Sequence, residues 1–234
     1  MDDLVRRSVV TDETLTELIS LLSHDLRGPL SSLVLHTGLL EGVDLSGDEK
    51  EDLAHVVAAG RELRDMLAMV ADLGQFLSDR ASLDAIPCDV ASLVRESIAS
   101  LPDGSPARVR LSESGVARVA CDRSRVSRAV RELLTSALRF TPEDLPVDVR
   151  IEISPAAARV GVLDNGIRVP SSMHEMMFDL VGALEIRRSH REFSRGLGPV
   201  YAALTARAHG GSAGILQRGA DERGNVLWIE LPTF

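Results

Sequence analysis

Apolar residues in the first third of the chain recur at steps of three and four: Leu15, Leu18, Ile19, Leu22, Leu26, Leu30 and Leu33, then Leu40. This is one stripe of a 3.6-residue repeat and predicts a long helix. Thr14 and Glu17 stand at capping-box spacing at its start. Turn residues from Gly42 to Glu49 interrupt the pattern. A second stripe then runs through Leu53, Val56, Val57, Leu63, Met66, Leu67, Val70, Leu73 and Leu77, with Ser46 and Glu49 placed to cap it. Two helices of about thirty residues joined by a short turn predict an antiparallel hairpin. Such a hairpin buries little by itself and is expected to pair with a second copy as a four-helix bundle.

Ile86-Pro87-Cys88 marks a boundary, and the pattern beyond it mixes. Val90–Ile98 reads as a helix, and Arg108–Leu111 and Val116–Ala120 read as short strands. Asp122–Phe140 is an amphipathic helix with Asp122 as its cap. Val147–Ile153 and Ala158–Leu163 alternate as strands, Gly198–His209 is helical, and Ser212–Leu216 and Val226–Leu231 close as strands. The expected fold class is α+β: a long helical hairpin over residues 1–84, then an α/β sandwich over residues 85–234 with strands on one side and helices on the other.

Composition narrows the function classes. The chain has 234 residues, 44% hydrophobic and only 3% aromatic, so the core must be built from Leu, Val, Ile and Ala. A net charge of −9 argues against nonspecific nucleic-acid binding, which depends on neutralising phosphates. Cys88 and Cys121 have no Cys or His at metal-ligand spacing, so neither zinc nor a disulfide framework is expected. The charge-free stretch from Pro29 to Leu40 is far short of the ~20 residues of a membrane span. The N-terminus lacks the apolar core of a signal peptide. A cytoplasmic protein without a membrane anchor is the expectation.

The segment Ser23-His24-Asp25-Leu26-Arg27-Gly28-Pro29-Leu30 carries the most distinctive chemistry of the first helix. His24 lies two residues from both Leu22 and Leu26, about 200° around the helix from each, which leaves it on the solvent side. A neighbouring Asp25 can hold the proton of one ring nitrogen and leave the other free as a nucleophile. Pro29 removes the bond to the carbonyl of Asp25 and kinks the helix beside this pair. A surface histidine beside an incidental kink is the competing reading of the same residues. His36 and His55 have no acidic neighbour beside them and read as structural or surface residues.

This octapeptide resembles the phosphoacceptor box of bacterial two-component sensor histidine kinases, and the resemblance continues in order. Arg131-Glu-Leu-Leu-Thr-Ser-Ala-Leu-Arg-Phe-Thr-Pro142 is similar to the kinase N box. Asp164-Asn165-Gly166 resembles the start of the adenine-binding G1 box. Phe178 falls at an F-box position. Gly196-Leu197-Gly198, with a helix and then His209-Gly210-Gly211, is similar to the G2 box and the strand after it. The resemblance spans roughly residues 13–234 and implies a dimerising hairpin followed by a Bergerat-type ATPase-like domain. It implies a phosphoacceptor His24 with Asp25 as acid/base partner. It also implies nucleotide contacts at Asp164, Gly166, Glu132, Arg139, Gly196 and Gly198, and a metal contact at Ser136.

The departures from the family pattern fall on that nucleotide set. Ser136 stands where the family has an Asn that ligates Mg²⁺, and a hydroxyl is a poorer ligand for a hard cation than an amide carbonyl. Arg168 replaces a Gly of the G1 box and is expected to obstruct the nucleotide. Ser194 replaces the first Gly of the G2 box and is expected to lose a positive-φ conformation. Pro199 follows Gly198 and is tolerable in a first helical turn. The basic run from Arg187 to Arg195 occupies the ATP-lid position and is expected as a solvated loop.

The resemblance therefore implies a phosphorelay protein that carries phosphate on His24 and passes it to the aspartate of a response-regulator receiver domain. Its use of ATP and magnesium is expected to be weak or lost, with an upstream kinase as phosphate source. An active Mg-ATP-dependent histidine kinase and a noncatalytic dimeric scaffold that sequesters a regulator are the alternatives.

Overall fold

The computed structural model describes residues 30–31, 33–38, 40, 46–77, 81–102, 104–219 and 223–233. His24, Asp25, Thr14, Glu17 and the apolar stripe from Leu15 to Leu26 lie outside the described residues. The chain divides into two compact units, residues 1–81 and 82–234.

In the first unit, the described residues between 30 and 40 are helical, and α1 spans Gly47–Leu77. The cap of α1 is the one its sequence predicts. The backbone N–H and hydroxyl of Ser46 donate to Glu49 Oε2 at 2.9 and 2.7 Å. The apolar positions of α1 divide between two faces. Val57, Met69, Leu73 and Phe76 are buried, whereas Val56, Leu63, Met66 and Leu77 are exposed in the single chain. A Cβ at Gly60 would come 3.1 Å from side-chain carbons of Leu33 and Val34, so this glycine lets the two helical segments approach closely.

The second unit is a mixed α+β sandwich. Its strands are β1 (Ala85–Asp89), β2 (Val109–Glu113), β3 (Arg118–Asp122), β4 (Val147–Ile153), β5 (Ala157–Leu163), β6 (Ser212–Gln217) and β7 (Asn225–Pro232). The main sheet has the order β2-β4-β5-β7-β6, antiparallel except for the parallel β2–β4 pair, and β1 pairs with β3 separately. The helices are α2 (Val90–Ala99), α3 (Arg123–Phe140), α4 (Leu180–Ser189) and α5 (Gly198–Ala208).

Alternation along the strands decides which face is covered. Val147, Val149 and Ile151 of β4, Val160 and Val162 of β5, and Leu227, Ile229 and Leu231 of β7 are buried. Val90, Leu93 and Val94 of α2 and Val126 and Val130 of α3 line the same small internal space as Ala158, Val160, Ile229 and Leu231, which places these helices on the apolar face. On the opposite face Arg159 stacks over Trp228 at 4.5 Å and its Nε donates to Glu230 at 2.9 Å. That cross-strand cluster keeps the outer face polar.

Aspartates set the helix starts. Asp122 ends β3 and caps α3 by accepting from the N–H of Arg125, Asp89 caps α2 through Ser92, and Asp179 caps α4 through Gly182. The C-terminus of α5 is tied to the cap of α3. The N–H of Asp122 donates to His209 Nε2 at 2.9 Å, so Nδ1 carries the ring proton and donates to the carbonyl of Thr205 at 2.7 Å. His209 is the helix C-terminal residue that the His-Gly-Gly turn predicts.

Candidate functional site

The site forms where β5 ends beside the start of β7 and the last turn of α3. Asp164 follows Leu163 of β5 and is wholly buried. A carboxylate taken out of water persists only with strong partners, and this one has several. The N–H of Gly166 donates to Oδ1 at 2.9 Å. The N–H of Asn225 donates to the same oxygen at 3.3 Å, and Asn225 Nδ2 lies 3.2 Å from each carboxylate oxygen. Arg195 Nη2 stands 3.2 Å from Oδ2.

Arg195 completes the arrangement from the other side. Its guanidinium carbon lies 3.7 Å from the centroid of the Phe140 ring, a stacked contact. The Arg195 and Asp164 side chains are 1% and 0% exposed, so water screens neither charge. Burial pushes the Arg195 guanidinium below its ordinary pKa, Asp164 pulls it up, and the charge of Arg139 pushes it down again. Nε and Nη1 of Arg195 have no hydrogen-bond partner among the described residues.

Helix α3 supplies the adjoining wall. Glu132, Ser136 and Phe140 are spaced by four and share one face, and Arg139 lies beside them. A Cβ at Gly198 would come 3.1 Å from Glu132 Cβ, and Arg195 covers Phe140. The segment Arg195–Gly198 therefore runs along this face, with Ser136 midway between its two ends. Ser136 is buried and its hydroxyl has no partner among the described residues.

Gly196 takes φ +74° with open space where a Cβ would stand, and Gly198 begins α5 with Pro199 in its first turn. Ser194 lacks a positive φ, as its replacement of a glycine leads one to expect. Ser194 is extended, at φ −68° and ψ 111°, and the positive φ falls on Gly196 instead. Arg168 is half-buried and its Nη2 donates to the carbonyls of Arg218 and Gly219, which ties it to the end of β6. The basic run differs from the solvated loop expected. Arg187, Arg188, His190 and Arg191 are exposed, but Arg195 is buried because a carboxylate and an aromatic face receive it together. Phe178 ends a short 3-10 turn, Met176–Phe178. His36 and His55 are exposed.

The sequence-predicted set is thus only partly assembled. Asp164 and Gly166 are joined directly, Glu132 meets Gly198, and Arg139 acts electrostatically on Arg195. Sequence reading missed Asn225, Arg195 and Phe140 as parts of the site. The signal for Asn225 was the Gly224-Asn225 pair at the start of a strand. Gly224 takes φ +85°, and a Cβ there would fall 1.8 Å from the carbonyl oxygen of Asp164, so the turn fits only glycine.

The acceptor edge of Asp164 is engaged by Arg195, the Phe140 face is covered, and a buried hydroxyl stands at the expected metal position. Among the described residues no group of three His, Cys, Asp or Glu side chains is placed to hold a metal ion. Among the same residues no helix is long and apolar enough to cross a membrane.

Comparison with known proteins agrees with this architecture. Residues 121–233 match the family described as histidine kinase-, DNA gyrase B- and HSP90-like ATPase. The probable sensor histidine kinase TcrY of Mycobacterium tuberculosis is 26% identical over 197 residues, covering 81% of this chain and 40% of that protein. The sensor-like histidine kinase SenX3 of Mycolicibacterium smegmatis is 23% identical over 227 residues, covering 95% of this chain and 59% of that protein. The chain spans less than two-thirds of either relative. Among solved structures, full-length ShkA in complex with AMPPNP superposes with a TM-score of 0.66 at 21% identity, covering 93% of this chain and 46% of that one. The Acinetobacter baumannii histidine kinase AdeS gives 0.57 at 18% identity, covering 89% and 97%.

Proposed function

We propose that this chain, whose residues 121–233 match the histidine kinase-, DNA gyrase B- and HSP90-like ATPase family and whose relatives include sensor histidine kinases, is a two-component phosphorelay protein with impaired use of ATP. Its phosphate rides on His24 and passes to the aspartate of a response-regulator receiver domain. An imidazole nitrogen of His24 attacks the incoming phosphoryl group, and the bond to the donor oxygen breaks. Asp25 holds the proton on the other ring nitrogen and so stabilises the charge that develops on the ring. The return step runs through the same atoms, with a receiver carboxylate as nucleophile.

One observation carries the reading of impaired ATP use: the buried hydroxyl of Ser136 on the α3 face beside Glu132, which has no partner among the described residues. A hard divalent cation needs several oxygen ligands, and this wall offers a single short hydroxyl between Glu132 and Phe140. The complex of ShkA with AMPPNP supports nucleotide binding as a property this fold can carry, and the Ser136 position supports its loss here. The hairpin acts as a homodimer. Its exposed residues Val56, Leu63, Met66 and Leu77 would be covered by a second copy.

The test is phosphate labelling of the full chain beside its His24→Ala variant. Incubation with γ-labelled ATP and Mg²⁺ is expected to leave the chain unlabelled. A phosphorylated receiver domain is expected to give an acid-labile label that His24→Ala abolishes. Rapid labelling of His24 from ATP would overturn the impaired-ATP reading in favour of an active kinase. No label from either donor would leave the dimeric scaffold as the function.

A further inference from the structure

Asp164 and Phe140 present a carboxylate and an aromatic face to one planar cation, and that cation belongs to the chain itself. The guanidinium of Arg195 stands 3.2 Å from Asp164 Oδ2 as an ion pair while its carbon stacks 3.7 Å from the Phe140 centroid. A planar group with in-plane N–H donors and a stackable face is also the description of the amino-bearing edge of a purine. The two therefore compete for one place.

The pair does not have the form of a structural ion pair. A buried ion pair stabilises a fold when every remaining donor is satisfied. Arg195 leaves Nε and Nη1 unpartnered among the described residues, and Arg139 adds a second positive charge nearby. Asp164, by contrast, is held by Gly166 and Asn225 whether or not Arg195 is present. The carboxylate is fixed by the fold, and the arginine is an occupant.

The chain around Arg195 is built to let it move. It stands between the extended Ser194 and Gly196, whose φ of +74° and open surroundings make a hinge. The preceding residues Arg187, Arg188, His190 and Arg191 are exposed. A side chain attached so close to its pocket competes at an effective concentration of about millimolar or above.

We propose that Arg195 is a tethered occupant of the pocket formed by Asp164, Asn225 and Phe140, and that it must leave before a purine can enter. The proposal rests on the reading of Asp164 as the purine-facing carboxylate. It adds a second block, independent of the metal position: wild-type pocket closed by Arg195, and openable by removing one side chain.

The experiment uses the full chain and ADP in EDTA, so that Ser136 and metal binding play no part. Calorimetric titration of wild type is compared with Arg195→Ala and Arg195→Lys, each checked by circular dichroism and thermal melting. Arg195→Ala is expected to bind ADP at least tenfold more tightly than wild type, about 1.4 kcal/mol. Arg195→Lys is expected to fall between, because an ammonium neither stacks nor forks. Low-millimolar methylguanidinium should raise the Tm of Arg195→Ala and leave that of wild type unchanged, since it refills the vacated place. If Arg195→Ala does not fold, Arg195→Lys supplies the comparison. Equal ADP affinity in wild type and the folded variant overturns the proposal, whether both bind or neither does. That result leaves the phosphorelay reading intact, which stands or falls on the labelling of His24.

Discussion

The side chain of Asn225 clamps Asp164 to the strand that starts 61 residues later: Nδ2 lies 3.2 Å from each carboxylate oxygen. The same amide spans the loop after Asp164. Nδ2 donates to the carbonyl of Ile167 at 3.0 Å, and Oδ1 accepts the N–H of Val169 at 2.9 Å. Asn225 is buried and all of its side-chain polar atoms are used. Asn225→Ala therefore strips partners from a buried carboxylate and a buried N–H together. Unsatisfied buried groups cost about 1–3 kcal/mol each, more when charged. A loss of roughly 3 kcal/mol is expected in urea unfolding. Asn225→Asp, which sets a second carboxylate against Asp164, should be worse than Asn225→Ala. The reverse order would remove Asn225 from this role.

Gly224 makes that clamp geometrically possible. Any side chain there meets the Asp164 carbonyl and also requires a left-handed backbone at φ +85°. Gly224→Ala is expected to destabilise by about 2–4 kcal/mol, in the range of severe backbone substitutions. Gly104, also at positive φ (+80°) but with open space around it, should cost only about 1 kcal/mol on the same change. Comparable losses at the two glycines would contradict the close approach at Gly224.

Cys121 is buried on β3, and Cys88 on β1 points its thiol toward the Cys121 carbonyl at 3.8 Å. Burial, then the Cys88 thiol beside it, pushes the Cys121 thiol from 9.0 up to about 12. The folded pKa lies above the unfolded one, so the fold holds this proton more tightly than the open chain does. The resulting stability is fully present below about pH 9 and is lost as pH rises from there toward 12. Unfolding free energy should therefore fall as pH rises from about 9 toward 12 in wild type, and less steeply in Cys121→Ala. A thiol reagent at about pH 8 should leave native Cys121 unmodified and react once urea unfolds the chain. Identical pH slopes in the two proteins would rule out the thiol as their source.

Local chemistry is what the sequence made readable. The Ser46–Glu49 cap, the Asp122 cap, the β4 and β5 alternation and the Asp164-Asn165-Gly166 turn all form between residues close in the chain. Strand β1 was read only as a boundary because Pro87 sits inside it, and a two-stranded pair with β3 tolerates what a central strand does not. Helix α4 was missed because its exposed Val181 and Leu184 blur the stripe formed by Ala183 and Ile186. Arg195 lies in an arginine-rich run whose members look alike in sequence. Only the fold selects the one that reaches Asp164 and Phe140.

The exposed stripe of α1 leads to a prediction about assembly. Val56, Leu63 and Leu77 fall on a seven-residue repeat completed by the half-buried Val70, and Met66 lies one turn from Leu63. That spacing is the seam of a helical bundle, and four-helix packing needs a second hairpin to cover it. The buried Val57, Met69 and Phe76 lie on a different face, and Leu63 and Met66 are themselves exposed, so charge placed at these two meets solvent in the single chain. Leu63→Glu together with Met66→Lys is expected to turn a micromolar dimer into a monomer in sedimentation equilibrium. Because an obligate dimer owes part of its stability to association, wild-type Tm should rise with protein concentration and the double variant's Tm should not. The second unit, tested by ADP titration of Arg195→Ala in this background, should be unaffected. A wild-type chain that sediments as a monomer at tens of micromolar would show that the seam is not paired, and the homodimer would be withdrawn.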